Sequence, residues 1–307
     1  MNTSELVKKI ENGDLDAMLS DLYGAENIES EKKRYSDAVR NFEALYGAER
    51  DVHAYSVAGR TEISGNHTDH NHGRVIAGSL NLDIVAIAAA RDDSIIRVKS
   101  EGFDEQIINF CEYTTPRKEN FGTSGSIIAG MCAGFGKSGY KVGGFDAYMT
   151  SNVLKGSGMS SSAAYEDMIG NILNYIYNDG KVDNVEIAKL AQYAENEFFG
   201  KACGLMDQMA CGVGGIISID FADVKNPVIE KMNFDISKAG YNLCIVNTGG
   251  NHADLGADYD SVPAEMKSVA HFFGKEVLHD VDENDVIKHI PELRENVGDR
   301  AILRSLH

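Results

Sequence analysis

The most informative segment of this sequence is Gly156-Ser157-Gly158-Met159-Ser160-Ser161-Ser162-Ala163-Ala164. Its two glycines allow a tight turn and a close approach of the backbone to a ligand. Apolar residues then recur every four positions from Ala164 to Ile176, which predicts a helix over 162–178. A glycine loop that leads into a helix gathers unpaired N–H groups and the positive end of the helix dipole. The pattern therefore predicts an anion site, and phosphate is the usual biological anion there.

The loop has a structural alternative, which is an ordinary helix whose first turn is capped by serines. It differs from the common phosphate loop, because Met159 stands where that loop has a lysine. The net charge of −18 also repels anions in general. A phosphate site would therefore need backbone N–H groups, a divalent cation and one or two placed arginine or lysine side chains.

The composition is that of a globular protein with room for two domains. The 307 residues are 43% hydrophobic and 25% charged, and no apolar run reaches the length of a membrane span. The negative charge argues against nucleic acid as a partner, because nucleic acid requires a basic surface. Charged residues interrupt the N-terminal segment, and the five cysteines form no close pair. We therefore expect a cytoplasmic protein with reduced thiols and no membrane association.

The periodicity of apolar residues predicts an α+β fold. Helices are predicted over 1–47, 124–137, 162–178, 184–200, 262–274 and 285–306. Strands are predicted over 53–60, 213–221 and 241–248, with one or two buried strands over 74–90 and a hairpin over 94–110. Early strands followed by helices packed on one side of them are typical of this fold class. We place a boundary near 212–215, which divides the chain into domains of residues 1–214 and 215–307.

A second informative segment is the polar stretch 59–73, which lies between apolar strands. Polar loops held by rigid elements are common binding sites. One interpretation is a transition-metal site. Its ligands would be His67, Asp69, His70 and His72. Another is a sugar-like site, in which Asn66, His67 and Asp69 bond hydroxyl groups and Arg60 meets phosphate. The structural alternative is a solvated turn.

A third segment, 195–208, carries two carboxylates of interest. Glu195 lies near the end of a predicted helix, and Asp207 lies in a short, glycine-flanked and otherwise apolar stretch. A carboxylate in such a stretch is costly unless it is paired or used, although it could also cap the next helix. Phosphoryl transfer typically uses one carboxylate that binds Mg²⁺, another near the acceptor hydroxyl, an arginine and a glycine loop, and this sequence contains candidates for all four.

Together these segments resemble the galactokinases of the GHMP small-molecule kinase family. The matching motifs, in order, are Gly59-Arg60 with Gly65-Asn66-His67-Thr68-Asp69, the loop 156–164, Cys203-Gly204-Leu205-Met206-Asp207-Gln208, and Asn247-Thr248 followed by His252 and Tyr259. The resemblance runs from about residue 40 to 307. It implies an N-terminal domain for sugar and ATP, a C-terminal kinase domain, mixed sheets with helices layered on them, and an active site between the domains.

The resemblance also implies residue roles in an ATP- and Mg²⁺-dependent phosphorylation of α-D-galactose at its anomeric hydroxyl. Asp207 would orient or deprotonate that hydroxyl, and Arg60 would offset charge on the transferred phosphate. The implied Mg²⁺ ligands are Ser162 and Glu195. The implied sugar contacts are Asn66, His67, Asp69, Gly204 and Tyr259. The implied contacts of ATP are Gly156, Ser157, Gly158, Ser160, Ser161 and Ser162.

Two departures from the family pattern affect these expectations. Asn66 stands where galactokinases usually carry glutamate, so a galactosamine derivative or a pentose is an alternative substrate. The family's third glycine-rich segment does not occur before His307, so we expect the second domain to be incomplete. A non-catalytic sugar and ATP sensor is a further alternative, which the intact Ser162-Ala163 and Asp207 disfavour. We expect His70 and His72 to be bystanders near the surface.

Overall fold

The secondary structure comes from a computed structural model that describes residues 1–153, 158–234, 236, 238–246 and 256–307, the side chains of 256–260 excepted. The α-helices within these residues are α1 (Thr3–Glu11), α2 (Asp16–Tyr23), α3 (Ile28–Tyr46), α4 (Ser124–Lys137), α5 (Ser161–Tyr177), α6 (Asn184–Tyr193), α7 (Met206–Val213), α8 (Gly256–Phe272), α9 (Glu283–Lys288), α10 (Ile290–Asn296) and α11 (Asp299–Leu306). The strands are β1 (His53–Ser64), β2 (Arg74–Ala90), β3 (Ile95–Ser100), β4 (Gln106–Asn109), β5 (Phe145–Ser151), β6 (Ile216–Asp220) and β7 (Val228–Met232).

Most of the predicted elements are present, with some corrections. The N-terminal helical region is three helices, and the predicted helix over 285–306 is α9, α10 and α11. The strand predicted over 241–248 is wrong for 241–246, which have no regular secondary structure, while 247–248 lie outside the described residues. An apolar run becomes a strand only where a neighbouring strand pairs with it. Strands β5 and β7 were not predicted, and helix α7 was predicted only in the alternative in which Asp207 caps the next helix.

The chain divides into two compact units, each built from several segments. The first unit comprises Met1–Gly59, Ser79–Leu154 and Ser160–Val213. The second unit comprises Arg60–Gly78, Lys155–Met159 and Gly214–His307. Strands β1 and β2 therefore contribute residues to both units. The domain boundary at 214 stays a prediction. No helix among the described residues is long and apolar enough to cross a membrane.

The first unit contains a mixed sheet in the order β4-β3-β5-β2. Strand β5 is antiparallel to β2 and parallel to β3, and β3 and β4 form the predicted antiparallel hairpin. Alternate residues of β2, Val85, Ile87 and Ala89, are buried in a cluster with Val39 and Phe42 of α3. The residues between them are also buried, so this part of β2 is covered on both faces. The α+β fold with a mixed sheet is thus confirmed.

A π-helical segment, Ala194–Phe199, continues α6 and positions Glu195. Its Phe198 is fully buried and packs in a cluster with Tyr113 and Ala129. Helix α4 approaches the segment closely, because a Cβ atom added at Gly130 would lie 2.8 Å from the Cα of Ala194. The predicted helix over 184–200 is therefore present, but its last turn is wider than an α-helical turn. Such π segments occur frequently at functional sites.

The second unit joins a small antiparallel sheet to a cluster of helices. Residues Arg74–Gly78 of β2 pair with β6, and β6 pairs with β7. Helices α8 to α11 enclose a separate apolar cluster that contains Val269, Leu293 and Ile302. The Glu265 carboxylate on α8 accepts hydrogen bonds from two arginines of α11. This unit carries the polar segment 59–73 almost entirely.

Candidate active site

The predicted phosphate loop ends in a strained serine. Gly156 and Ser157 lie outside the described residues, whereas Gly158 is exposed and has a φ of +77°. Ser160, which precedes α5, has φ 56° and ψ 52°, a left-handed conformation that is costly for a residue with a side chain. Non-glycine residues held in this region occur preferentially at functional sites.

The serine cap that was the structural alternative for this loop is wrong. No described side chain caps the first turn of α5, which holds Ser161 and the exposed Ser162. The Ser160 hydroxyl instead donates to Oδ2 of Asp207 across 2.6 Å. The first N–H groups of α5 therefore point out of the helix without a serine cap, as an anion site requires.

Asp207 is the second residue of α7 and lies within that helix, so it does not cap α7 from the preceding position. Its bond to Ser160 joins the starts of α5 and α7. Gly204, a predicted sugar contact, is half-buried in the turn that leads into α7. The sequence motif thus brings a carboxylate and a serine of the predicted phosphate loop into direct contact within the first unit.

Glu195 is buried, and both of its carboxylate oxygens have protein partners. The Nζ atom of Lys201 lies 3.0 Å from Oε1, and the side-chain amide of Gln208 donates to Oε2 across 3.0 Å. Burial lowers the pKa of Lys201, but the Glu195 carboxylate and more weakly Asp207 raise it, and the net shift is upward. Lys201 is therefore a permanent cation beside the buried carboxylate.

A second buried carboxyl group, Glu166 of α5, shares this cluster. The Gln208 amide also donates to Oε2 of Glu166 across 3.1 Å. Burial, followed by the charge of Glu195, raises the pKa of Glu166 well above its ordinary value. Burial and then Glu195 likewise raise the pKa of the Cys203 thiol. We therefore expect a neutral Glu166.

Sequence reasoning gave no role to Glu166, Lys201 or Gln208. Two features of the sequence could have indicated that these residues lie near the site. Glu166 follows Ser162 by four residues, which is one helical turn along α5, and Gln208 directly follows Asp207. Neither signal shows which carboxylate a side chain reaches, because the three residues lie on different elements.

Glu195 and Ser162 both carry oxygen atoms of the kind that binds magnesium. Glu195 and Ser162 offer the hard oxygen ligands that Mg²⁺ prefers, and the Lys201 contact shows that Oε1 of Glu195 accepts a cation. Within the described part of the chain, no group of three or more His, Cys, Asp or Glu side chains is arranged to hold a metal. Further ligands would therefore come from nucleotide phosphates and water, and the transition-metal interpretation of the 59–73 segment finds no support.

The predicted sugar segment is a tight turn in the second unit. Three of its non-glycine residues, Asn66, His67 and His72, have φ between 52° and 61°. A Cβ atom added at Gly65 would lie 2.6 Å from the carbonyl oxygen of Arg74, so this position requires glycine. The short 3₁₀ turn Thr68–Asn71 lies between the strained residues. Strain of this density is typical of a binding loop.

Asp69 is the buried centre of this turn. Its Oδ1 atom lies 3.1 Å from Nδ1 of His67 and 3.8 Å from Nδ1 of His70. The His67 backbone N–H donates to Oε1 of Glu62 across 2.7 Å, a contact that sequence reasoning missed. The Asn66 side chain donates to the carbonyl oxygen of His307 across 3.0 Å. His70 is half-buried, and its Nδ1 atom lies 2.8 Å from the His67 carbonyl oxygen; its role as a bystander stays a prediction.

Arg60 is also in the second unit, and it is buried. Its guanidinium donates to the carbonyl oxygen of Gly158 across 2.5 Å, and its backbone N–H donates to that of Met159 across 3.2 Å. The arginine is thus attached to the end of the predicted phosphate loop. Tyr259 lies in α8, but its side chain is outside the described residues.

Two families match parts of this chain. Residues 121–215 match the GHMP kinases N terminal domain, and residues 40–90 match the galactokinase galactose-binding signature. The first match includes the Ser160–Asp207 contact and Glu195. The second includes the turn around Asp69.

Curated galactokinases are similar to most of the chain. The Clostridium tetani galactokinase is 31% identical over 238 residues, which are 77% of this chain and 59% of that protein. The Bacillus subtilis galactokinase is 30% identical over 72% of this chain and 56% of its own length. The Streptomyces coelicolor galactokinase is 30% identical over 269 residues, which are 86% of this chain and 67% of that protein. The chain thus spans less than three fifths of the first two relatives.

Solved structures agree on the fold. The Lactococcus lactis galactokinase complexed with galactose superposes with a TM-score of 0.71 at 21% identity, covering 89% of this chain and 70% of that one. The Methanococcus jannaschii mevalonate kinase reaches 0.54 at 15% identity, covering 84% and 78%. Both are likenesses of fold. Together with the Streptomyces relative and the two matched families, they lead to one conclusion: this chain belongs to the galactokinase family of the GHMP kinases.

Proposed function

We propose that this chain transfers the γ-phosphoryl group of ATP to the anomeric hydroxyl of α-D-galactose, giving galactose 1-phosphate and ADP. The observation that carries the proposal is the 2.6 Å hydrogen bond between Ser160 and Asp207. It couples a carboxylate that can activate a hydroxyl to the uncapped N-terminus of α5, where phosphate binds favourably. Family membership supports the same reaction.

Asp207 is the proposed acceptor-activating group. Its carboxylate would accept the proton of the C1 hydroxyl or orient that hydroxyl towards the phosphorus atom. Ser160 donates to Oδ2 of this carboxylate and so fixes its orientation. Because phosphoryl transfer depends mainly on positioning and charge stabilisation, this fixed orientation matters more than strong basicity.

The phosphates of ATP would bind at the start of α5. Gly158, Ser160, Ser161 and Ser162 would offer backbone N–H and hydroxyl donors, as would Gly156 and Ser157. Arg60, attached to Gly158, would supply positive charge to the transferred group. Ser162 and Glu195 would hold Mg²⁺, which when bound neutralises charge on the phosphates.

The turn around Asp69 is the proposed sugar site, with Asn66, His67, Gly204 and Tyr259 as further contacts. The buried Asp69 carboxylate would accept a hydrogen bond from a sugar hydroxyl in a low-dielectric setting, where such bonds are strong. Asn66 can donate as well as accept, unlike the usual glutamate, so a galactosamine derivative or a pentose is the second candidate acceptor. We also propose a cytoplasmic location and the two domains 1–214 and 215–307.

The proposal is tested by coupled ADP release with galactose, N-acetylgalactosamine and arabinose as acceptors. We expect galactose to give the highest kcat/KM, and Asp207→Asn to lower kcat by about 10³-fold or more, because the amide neither accepts the hydroxyl proton nor orients the hydroxyl as the carboxylate does. Asp179→Asn, which changes an exposed carboxylate in an ion pair with Lys181, is the matched control and should keep full activity. ATP- and sugar-dependent turnover that survives in Asp207→Asn would refute the assigned role of Asp207.

A further inference from the structure

Lys201 is a cation placed at the carboxylate that the proposed kinase would use for its metal. Its Nζ atom lies 3.0 Å from Oε1 of Glu195, within the first unit. The two side chains differ greatly in exposure: 62% for Lys201 and 3% for Glu195. The lysine therefore reaches from solvent to a buried carboxylate.

The contact with Lys201 compensates the negative charge of Glu195 when no metal is bound. A buried carboxylate without a counter-charge is strongly unfavourable. The Gln208 amide satisfies Oε2 of Glu195 but brings no charge, and its second donor is used by Glu166. Among the described contacts of Glu195, the Lys201 ammonium is thus the group that neutralises it.

We propose that Lys201 sets the metal requirement of this kinase, because its ammonium group and the divalent cation compete for Oε1 of Glu195. The inference rests on the proposed function, in which Glu195 is a metal ligand. The lysine occupies the carboxylate while no metal is bound, and it leaves for solvent when the metal arrives with the nucleotide.

The physical properties of the two cations support this exchange. A lysine ammonium is a compact charge on a flexible four-carbon stem, so Lys201 can leave without a change in the backbone. Because the metal takes over the neutralisation of Glu195 as the lysine leaves, the exchange costs only the contact of the lysine itself. An ammonium that is mostly exposed loses little by returning to water, which makes it the weaker of the two competitors. A divalent cation brings twice the charge and is held additionally by phosphate oxygens. The lysine should therefore raise the metal concentration that is needed without preventing binding.

The test measures metal binding directly, with Mn²⁺ as the probe and ADP as the nucleotide, by electron paramagnetic resonance of free Mn²⁺. Lys201→Met removes the charge and keeps most of the side-chain volume, and it should lower the apparent dissociation constant of Mn²⁺ by about fivefold. Lys201→Arg keeps the competitor and can bond both to carboxylate and to solvent, so it should not lower that constant. Lys181→Met breaks an exposed pair of similar length, 2.9 Å to Asp179, and should leave Mn²⁺ binding unchanged.

A second variant shows whether the effect acts through Glu195. In Glu195→Gln, which keeps the shape but removes the charge, the added change Lys201→Met should no longer tighten Mn²⁺ binding. Thermal unfolding provides a readout without turnover: Lys201→Met should melt lower than wild type in the absence of metal, and the difference should disappear with saturating Mn²⁺ and ADP. Unfolded variants would be recognised in the same scan.

The outcomes separate this inference from the proposed function. Equal Mn²⁺ constants for wild type and Lys201→Met would overturn the inference, even if wild type phosphorylates galactose. A loss of kcat in Lys201→Met with unchanged Mn²⁺ binding would also overturn it, since the lysine would then act on the phosphate. If wild type phosphorylates no sugar but Mn²⁺ binding tightens as expected, the proposed function fails and the competition at Glu195 stands.

Discussion

The Ser160 hydroxyl bonds Asp207 while the backbone of Ser160 itself is left-handed, so one residue combines a functional contact with local strain. Ser160→Gly and Ser160→Ala both delete the hydrogen bond, and each should lower kcat by about tenfold, the value of a bond to a charged group. Glycine tolerates φ near 56°, so Ser160→Gly should be about 1 kcal/mol more stable than Ser160→Ala. Urea unfolding and ADP release measure the two effects.

The paired substitution distinguishes the hydroxyl from the backbone. If Ser160→Gly keeps wild-type activity and Ser160→Ala does not, the backbone conformation rather than the hydrogen bond to Asp207 supports turnover.

Two glycines of helix α4 should respond oppositely to alanine. A Cβ atom at Gly130 would meet the backbone of Ala194 at 2.8 Å, whereas one at Gly136 would meet nothing within 4 Å. Gly130→Ala should therefore cost about 1–3 kcal/mol through overpacking, and it should weaken Mn²⁺ binding because the π segment carries Glu195. Gly136→Ala should stabilise the chain by about 0.5–1 kcal/mol through helix propensity.

Chemical denaturation and Mn²⁺ titration of both variants check this prediction. Equal stabilities for the two variants would contradict the close packing of α4 on the π segment.

A fully buried carboxyl group, Asp167, predicts a pH dependence of stability. Neither of its oxygens has a hydrogen-bond partner among the described residues, and burial raises the pKa of Asp167 well above its ordinary value. The folded protein keeps a proton that the unfolded chain releases, so stability is complete below the ordinary pKa and falls as pH rises towards the folded value. Asp167→Asn removes this loss, and its advantage should grow by up to about 1.4 kcal/mol per pH unit.

Urea unfolding between pH 5 and pH 8 tests the sign. Asp179→Asn is the control, because the hydrogen bond from Lys181 lowers the pKa of Asp179 and gives the opposite sign. A stability difference between Asp167→Asn and wild type that does not change with pH would show that Asp167 is already ionised in the folded protein.

The buried ion pair between Arg34 and Asp83 should be costly to break. The guanidinium donates to Oδ1 of Asp83 across 2.8 Å, and Tyr23 donates to Oδ2 across 2.5 Å. Asp83→Leu leaves the arginine without its main counter-charge and should cost about 3–5 kcal/mol. Adding Arg34→Met should recover part of this loss, because the remaining charge is removed.

A double-mutant cycle by urea unfolding measures the coupling. Additive losses in the two single variants would show that the pair does not act as a unit.

The sequence predicted those parts of the site that depend on local order. The loop that ends at Ser160 and the motif that contains Asp207 are contiguous patterns, and their resemblance to one family linked them before their contact was known. The roles of Lys201 and Glu166 were not predicted, because their partners lie on other elements and the periodicity of a sequence does not show which side chains are in contact. The π geometry at Glu195 was also beyond prediction, because six residues are too few for a sequence pattern to distinguish a π turn from an α turn.

The fold was predicted best where an element is long and its period is clear, as in α4 and β2. The fold was predicted poorly where the pairing of strands decides whether a segment becomes a strand. Strand β5 contains a fully buried Asp146, which three arginines neutralise, and this charge concealed a central strand. Conversely, the apolar run 241–246 predicted a strand that the structure does not contain.

The pairing of Arg74–Gly78 with Ile216–Asp220 has a consequence for how the protein is made. During translation the first part of β2 leaves the ribosome long before β6 has been synthesised. One edge of that strand therefore stays unpaired in the meantime. A nascent chain in this state exposes a template for intermolecular pairing, which chaperones commonly cover. Each unit is built from several segments of the chain, so neither can be expressed alone by truncating the gene at one position. A fragment that ends at residue 213 would lack β6, and the first part of β2 would then have an unpaired edge.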